Sequence, residues 1–240
     1  KLKRAFDFLL AIIGLSLTSP IMIIIAILIW LDDRKNPIYK AKRVGKGNKD
    51  FTLYKFRSMK ASSDKSGVFS TSASDSRITK IGQFIRGYKL DELPQLINII
   101  NGTMSFVGPR PNVRIDVDKY TKVELELLSV RPGITDFSSI VFSDEGEILQ
   151  DAQDPDLKYN QVIRPWKSRL GLFYIQNSNL LLDLKLMIWT VLVIINRKSA
   201  LEKISNHLLK MKCDEDVVNI SLRKDPLVPT PPPGTDQVAS

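Results

Sequence analysis

From Phe8 to Leu31 the chain carries no charged residue. A helix rising about 1.5 Å per residue would carry such a run across roughly 36 Å, enough for a hydrocarbon core of about 30 Å. Thr18-Ser19-Pro20 divides it into halves of about 12 residues, each about 18 Å long and too short to cross alone. Pro20 has no amide donor, and the hydroxyls of Ser16, Thr18 and Ser19 are placed to satisfy the carbonyls it frees. Both flanks are basic: Lys1, Lys3 and Arg4 before, and Arg34, Lys35, Lys40, Lys42 and Arg43 after. A spanning helix puts one flank on the wrong side of a membrane, whereas a helix that dips in and returns keeps both in the cytoplasm. The pattern alone leaves both forms open. A cleavable signal peptide fits less well, because the run is too long and ends without a small-residue cleavage site.

Next, the apolar positions shorten to strand-like runs. Pro37-Ile38-Tyr39 and Phe51-Thr52-Leu53-Tyr54 favour strands, and Gly45-Lys46-Gly47-Asn48 supplies a turn, so 36–60 reads as a hairpin. It is strongly basic, with Lys55 and Arg57 on its second strand; that face suits headgroups or plain solvent. Residues 61–76, rich in Ser, Asp and Gly, read as a mobile loop long enough for a lid. Helical spacing returns from Thr79 to Tyr88, and again in Leu90, Leu93, Leu96, Ile97 and Ile100. Pro94 is tolerated only in a first turn, so this second helix should begin near Asp91 and close at Asn101-Gly102. Residues 114–130 read as one charged amphipathic helix with Val117, Tyr120, Val123 and Leu127 inward, and Asp144-Glu145-Gly146-Glu147 as a turn. The charge-free part of the later apolar stretch, Leu186 to Ile195, is too short to cross a bilayer. It suits a core helix or one lying in the interface, with Trp189 as a headgroup-level anchor. From about Asp225, past Pro231-Pro232-Pro233, the tail is expected to be disordered.

Charge narrows the chemistry. The 35 basic and 26 acidic residues give +9, which points to an anionic partner such as a phosphorylated substrate, phospholipid or nucleic acid. One Cys213 and one His207 exclude an internal disulfide and any multi-Cys or His-rich metal site. In an enzyme, the carboxylates must then carry the work. Asp91-Glu92 stands at a helix head, which favours an ionised carboxylate and attracts phosphate; a plain N-cap at Asp91 explains the same spacing. Gly108-Pro109-Arg110-Pro111 and Arg131-Pro132-Gly133 each aim one arginine from a pre-set backbone, a geometry suited to bidentate phosphate recognition or to a simple loop corner. The basic residues are not interleaved with aromatics as in a nucleic-acid module. A non-enzymatic peripheral membrane protein, binding anionic lipid or nucleic acid through its basic face, is the alternative. It accounts for the charge and the apolar anchor but leaves the carboxylate pair unexplained.

Six runs occur in order from roughly Lys3 to Arg197: Lys3-Arg4-Ala5-Phe6-Asp7, Tyr54-Lys55-Phe56-Arg57-Ser58-Met59, Leu90-Asp91-Glu92-Leu93-Pro94-Gln95-Leu96, Met104-Ser105-Phe106-Val107-Gly108-Pro109-Arg110-Pro111, Arg131-Pro132-Gly133-Ile134-Thr135 and Leu182-Asp183-Leu184-Lys185. Together they closely resemble the bacterial sugar transferases, the monotopic phosphoglycosyl transferases. The resemblance implies a membrane enzyme that moves a phosphosugar from a nucleotide sugar, expected to be UDP-linked, onto a polyprenyl phosphate. It implies the first membrane step of glycoconjugate assembly, at the cytoplasmic face of the bacterial inner membrane. It also implies a re-entrant helix bent at Ser19-Pro20, a magnesium ion and a covalent enzyme intermediate.

On this resemblance Asp91, kept ionised by the helix terminus and nearby arginines, is expected to attack phosphorus. Glu92 is expected to ligate metal with Asp91 or to steer the acceptor, and Arg86, Arg110, Arg131 and Arg57 to bind phosphate. The expected partners are the donor, the acceptor and phospholipid, without nucleic acid; a homodimer is left open. The expected fold is α+β and mostly helical, with a small β-hairpin, a re-entrant membrane helix (1–35), a cytoplasmic catalytic domain (36–205) with interfacial amphipathic helices, and a largely disordered tail (206–240). Many family members carry Gly and an aromatic where this chain has Asp136-Phe137, and Ser138 to Asn160 resembles the longer acidic insert of one subgroup. Both differences bear on sugar choice.

Overall fold

A computed structural model describes residues 2–61 and 75–239, so most of the loop expected at 61–76 lies outside the described residues. The first element, α1 (Leu2–Asp33), is helical straight through Pro20. Pro20 deprives the Ser16 carbonyl of its amide partner, and the Ser19 hydroxyl donates to that carbonyl at 2.9 Å. The Thr18 hydroxyl donates to the Gly14 carbonyl at 2.7 Å. Local side-chain donors thus carry the helix across the point where the sequence suggests a break.

One face of α1 lies against the rest of the chain along its whole length. Near the start, Lys3 pairs with the buried Asp183, Arg4 donates to the carbonyls of Ile99 and Ile100, and the buried Asp7 accepts from the Ser105 hydroxyl at 2.8 Å. Ala11 and Leu15 then join Leu53, Leu96, Ile99 and Met104 in one core, while Met22, Ile25 and Ile29 join Phe56, Ile85 and Leu93 in another. At the far end Asp33 pairs with Arg57. The opposite face, including Leu9, Ile13, Leu17, Ile24, Leu28 and Leu31, is apolar and exposed.

The hairpin forms as its sequence suggests. Strands β1 (Ile38–Val44) and β2 (Asp50–Phe56) pair antiparallel, with Ile38 opposite Phe56. Their turn uses left-handed backbone at Gly47 (φ 69°) and Asn48 (φ 61°), the two residue types that tolerate it best. Helix α2 (Lys80–Gly87) starts at Thr79, whose side chain caps the Gly82 amide. Helix α3 (Gln95–Ile100) is shorter than its apolar spacing implies, because a 3-10 turn at Leu90–Glu92 precedes it and Pro94 occupies its N-cap. Strands β3 (Ser105–Val107) and β4 (Gly133–Thr135) pair in parallel, which no short motif announces.

The single helix expected over 114–130 is two pieces, α4 (Arg114–Val117) and a 3-10 segment, Glu124–Ser129. Thr121 and Glu124 explain the break. The Thr121 hydroxyl accepts from the Glu124 amide at 3.1 Å, and the Glu124 carboxylate accepts from the Thr121 amide at 3.0 Å. This reciprocal capping starts a new helical turn.

The remaining elements form a helical layer: α5 (Phe137–Val141), α6 (Glu145–Ile148), α7 (Pro155–Lys158) with a π turn at Tyr159–Ile163, α8 (Arg164–Asn177), α9 (Leu180–Ile195), α10 (Arg197–Lys210) and α11 (Glu215–Ser221). Phe137, Ile140, Leu170, Leu186, Ile204 and Leu208 fill its core. Trp189 corrects an expectation. It packs against this core, 5.5 Å from the His207 ring, while Leu181, Leu184, Ile188, Val191 and Ile195 make the exposed stripe of α9.

The segment 206–240, expected to be a largely disordered tail, is also corrected. It completes α10, forms α11, and then runs extended along α8. Thr230 donates to the Gln161 carbonyl at 2.9 Å, Arg169 to the Pro231 carbonyl at 2.9 Å, and Gln161 to the Ala239 carbonyl at 2.9 Å. Its prolines lack amide donors but keep carbonyls, and these are what α8 and its neighbours hold.

Gly82 marks the tightest contact between α2 and the end of the hairpin, since a Cβ there would stand 1.9 Å from the Ser58 carbonyl oxygen. Gly82→Ala is expected to destabilise the fold by about 1–3 kcal/mol through forced overpacking, read as a lower melting temperature in detergent.

Candidate active site

The turn between α2 and α3 builds the site. Lys89 adopts left-handed backbone (φ 55°, ψ 22°), which ends α2 and starts the 3-10 turn of Leu90, Asp91 and Glu92. Leu90 and Leu93 pack against α1's second core. Asp91 and Glu92 face instead into an open cleft of about 1220 Å³. Asn98 ties α3 to the hairpin beneath, donating to the Thr52 carbonyl at 2.7 Å and accepting from the Tyr54 amide at 3.0 Å.

The two adjacent carboxylates have opposite surroundings. Glu92 is held by Arg110, whose two terminal nitrogens reach its two oxygens, and by Lys55 at 3.3 Å. Arg110 is anchored in turn on the Ile134 carbonyl at 2.8 Å. Burial opposes ionisation of Glu92, but Arg110 and Lys55 outweigh it and hold the carboxyl far below the ordinary carboxylate range. Asp91 is only 8 % exposed, and no hydrogen bond or ion pair holds its carboxylate among the described residues. Burial pushes its carboxyl above the ordinary value; Lys55, Arg86 and Arg110 pull it back only in part, and Glu92 adds to the rise. Two expectations are thereby corrected. Asp91 is not a helix cap, and desolvation outweighs the cations that were expected to keep it readily ionised.

The expected phosphate arginines separate into three groups. Arg86 lines the cleft, 3.5 Å from the Ser58 hydroxyl. Arg110 and Arg57 also line it, but Arg110 grips Glu92, and Arg57 is bound to both Asp33 oxygens and to the Asn36 carbonyl. Arg131 is not in the cleft: its Nε donates to the Gly102 carbonyl at 2.8 Å. It precedes β4 and reaches back to the turn before β3, whereas Arg110 follows β3 and reaches along β4, so the two side chains leave the parallel pair in opposite directions.

The cleft also holds cations that motif reading did not single out for phosphate: Lys55, Lys89 and Lys167. Lys55 belongs to one of the six runs and Lys89 sits two residues before Asp91, so proximity could have flagged them. Lys167 comes from the first turn of α8 and has no local signal. Lys89 is half-buried, and desolvation lowers its pKa.

The lining of the cleft is also acidic and hydroxylic, with Ser139, Ser143, Glu145 and Glu147. Asp136, where the chain departs from the family pattern, caps α5 by accepting from the Ser139 amide at 2.7 Å. Lys167 pairs with Glu145, while Arg197 (2.9 Å) and Arg223 (3.3 Å) brace Asp144.

Among the described residues, no three Asp, Glu, His or Cys side chains gather closely enough to hold a metal by themselves. With both Glu92 oxygens taken by cations, Asp91 is the carboxylate of the pair open to a divalent ion. One protein carboxylate plus substrate phosphate oxygens is a donor set that suits magnesium.

Residues 1–197 match the bacterial sugar transferase family. The chain is 36% identical over 198 residues to a UDP-N-acetylgalactosamine-undecaprenyl-phosphate N-acetylgalactosaminephosphotransferase of Aeromonas hydrophila, covering 81% of this chain and 44% of that protein. It is 38% identical over 172 residues to a UDP-glucose:undecaprenyl-phosphate glucose-1-phosphate transferase of Escherichia coli, covering 69% of this chain and 36% of that protein. It is 35% identical over 190 residues to the uncharacterized sugar transferase EpsL of Bacillus subtilis, covering 79% of this chain and 85% of that protein. The chain thus spans less than half of the first two relatives and most of the third. By a match that runs from the first residue past the end of α9, the chain belongs to the bacterial sugar transferase family.

Proposed function

We propose that this chain transfers a sugar 1-phosphate from a UDP-sugar to undecaprenyl phosphate, at the cytoplasmic face of a bacterial inner membrane. The observation that carries the reading is the Asp91 carboxylate, unpaired in a cation-lined cleft beside a Glu92 that is fully engaged. The family match and the activities for which the relatives are named point the same way.

In this mechanism the donor's diphosphate lies against the cationic wall. An Asp91 oxygen attacks the β-phosphorus, the bond from that phosphorus to the bridging oxygen breaks, and UMP departs with the electron pair. The sugar phosphate stays on Asp91 as an acyl phosphate. A phosphate oxygen of the acceptor then attacks the same phosphorus, the acyl P–O bond breaks, and the carboxylate is restored. Attack of one anion on another is uphill in water, so fixed positive charge in the cleft does most of the electrostatic work. Asp91 is the residue that would hold a magnesium ion, which would supply further charge neutralisation. Glu92 acts through its partners: it fixes Arg110 and Lys55 around the reacting phosphate.

Membrane seating follows from α1. Its first turns and its last turn both rest on the same body, through Arg4 and Asp7 at one end and Asp33 at the other. A helix crossing the bilayer would carry one end about 30 Å away from a domain on one side. Contacts at both ends support insertion from one side, with both basic flanks in the cytoplasm. The exposed apolar faces of α1 and α9, with Phe84 and Tyr88 of α2, offer the surface that such seating needs.

Incubation with donor alone is expected to leave a phosphosugar adduct on Asp91, detectable by peptide mass spectrometry, and Asp91→Asn is expected to abolish UMP release. Full turnover by that variant would overturn the nucleophile assignment; absence of UMP release by the native chain across a panel of nucleotide sugars would favour a lipid-binding protein without this activity. The first step needs ionised Asp91, whose pKa is raised from 3.8, so its rate should fall with acidification at a pH above that ordinary value. The stability effects of the pair have opposite signs. A raised pKa means that ionised Asp91 opposes folding at neutral pH, so Asp91→Asn should raise the melting temperature at pH 7. The depressed Glu92 carboxyl contributes stability that is present above its unfolded pKa and lost as pH falls through the folded value. Glu92→Gln should therefore cost about 1–3 kcal/mol at pH 7, because it leaves the half-buried Arg110 without its counter-ion.

A further inference from the structure

We infer that Lys89 binds the diphosphate of the donor beside Asp91, in the role for which Arg131 is misplaced; this rests on the reading of the cleft as a nucleotide-sugar site. The outer face of α2 is apolar, with Phe84 and Tyr88 60% and 58% exposed and their rings 5.1 Å apart. The left-handed turn at Lys89 breaks from that face and places the side chain on the cleft. It lines the cleft together with Asp91, Glu92, Arg110 and Lys167, the groups that would surround a reacting phosphate.

Of the other cations named for the cleft, Arg86 touches only the Ser58 hydroxyl at 3.5 Å, and four are committed to carboxylates. Arg110 and Lys55 hold Glu92, Arg57 holds Asp33, and Lys167 holds Glu145. The Lys89 ammonium makes no hydrogen bond or ion pair among the described residues. A half-buried positive charge without a counter-ion is stabilised by an anion that completes it. The backbone gives a second argument. Left-handed conformation suits glycine or asparagine, so a turn needed only to reverse the chain would be less strained with glycine at this position. Lysine instead keeps a mobile point charge with three donors two residues from the nucleophile. Such a group can follow phosphate as it passes from the diphosphate to the acyl phosphate, whereas a guanidinium locked on Glu92 cannot.

The test compares Lys89→Gly and Lys89→Arg in the full chain, in detergent with magnesium. UDP affinity is measured by calorimetry, the donor KM by UMP release, and the fold by melting temperature. Loss of one charge-assisted phosphate contact is expected to weaken UDP binding in Lys89→Gly by about ten- to hundredfold and to raise KM similarly. Its melting temperature should not fall, and Lys89→Arg should recover most of the affinity. Unchanged UDP affinity and KM in Lys89→Gly would overturn the assignment and leave a purely conformational role. If the native chain itself neither binds UDP nor releases UMP, the reading of the cleft fails, and the role of Lys89 fails with it.

Discussion

The Glu92 carboxylate, caught between Arg110 and Lys55, is the contact on which the cleft depends. It joins three separate pieces of chain: strand β2, the turn that carries Asp91, and the proline-framed loop after β3. Such a buried ion pair contributes little net stability, because desolvating the charges offsets their attraction. Its value is geometric. With Glu92 satisfied, the neighbouring carboxylate lies beside an array of cations without being quenched by any of them. Two adjacent acids thereby take opposite electrostatic states, one held as an anion and the other a group whose ionised form is raised in energy.

The same economy governs α1. One stripe of the helix is pinned by Lys3, Arg4 and Asp7 to α9, α3 and β3, and farther on by apolar contacts to the hairpin and α2. The remaining surface is apolar and exposed. Several residues that resemble a family signature, Asp7 and Asp183 among them, thus serve as buried anchors for this helix and do not line the cleft. The residues after 197, beyond the family match, close the structure from the other side. Through Arg223 they brace Asp144 in the cleft lining, and through the Pro231 carbonyl they hold Arg169 of α8.

What could be read ahead of the structure, and what could not, divides by the range of the interactions. The hairpin turn at Gly47-Asn48, the α2 cap at Thr79 and the α9 boundaries follow from rules spanning a few residues, and each stands where those rules place it. The Thr121–Glu124 cap was equally local and would have divided the supposed helix over 114–130. The tail misled because composition scores its own residues; its Pro231 carbonyl is used by the distant Arg169 on α8, and its Ala239 carbonyl by Gln161 in the π turn.

At the site, the sequence by itself determined the chemistry available: a carboxylate pair, a surplus of cations, and neither thiolate nor imidazole in useful number. Only tertiary structure decided which members act together. It engaged Arg110 with Glu92, sent Arg131 toward Gly102, and brought Lys167 from α8 to the cleft. The reason is that ionisation and pairing depend on burial and on charges a few ångströms away in space, and chain separation says nothing about either.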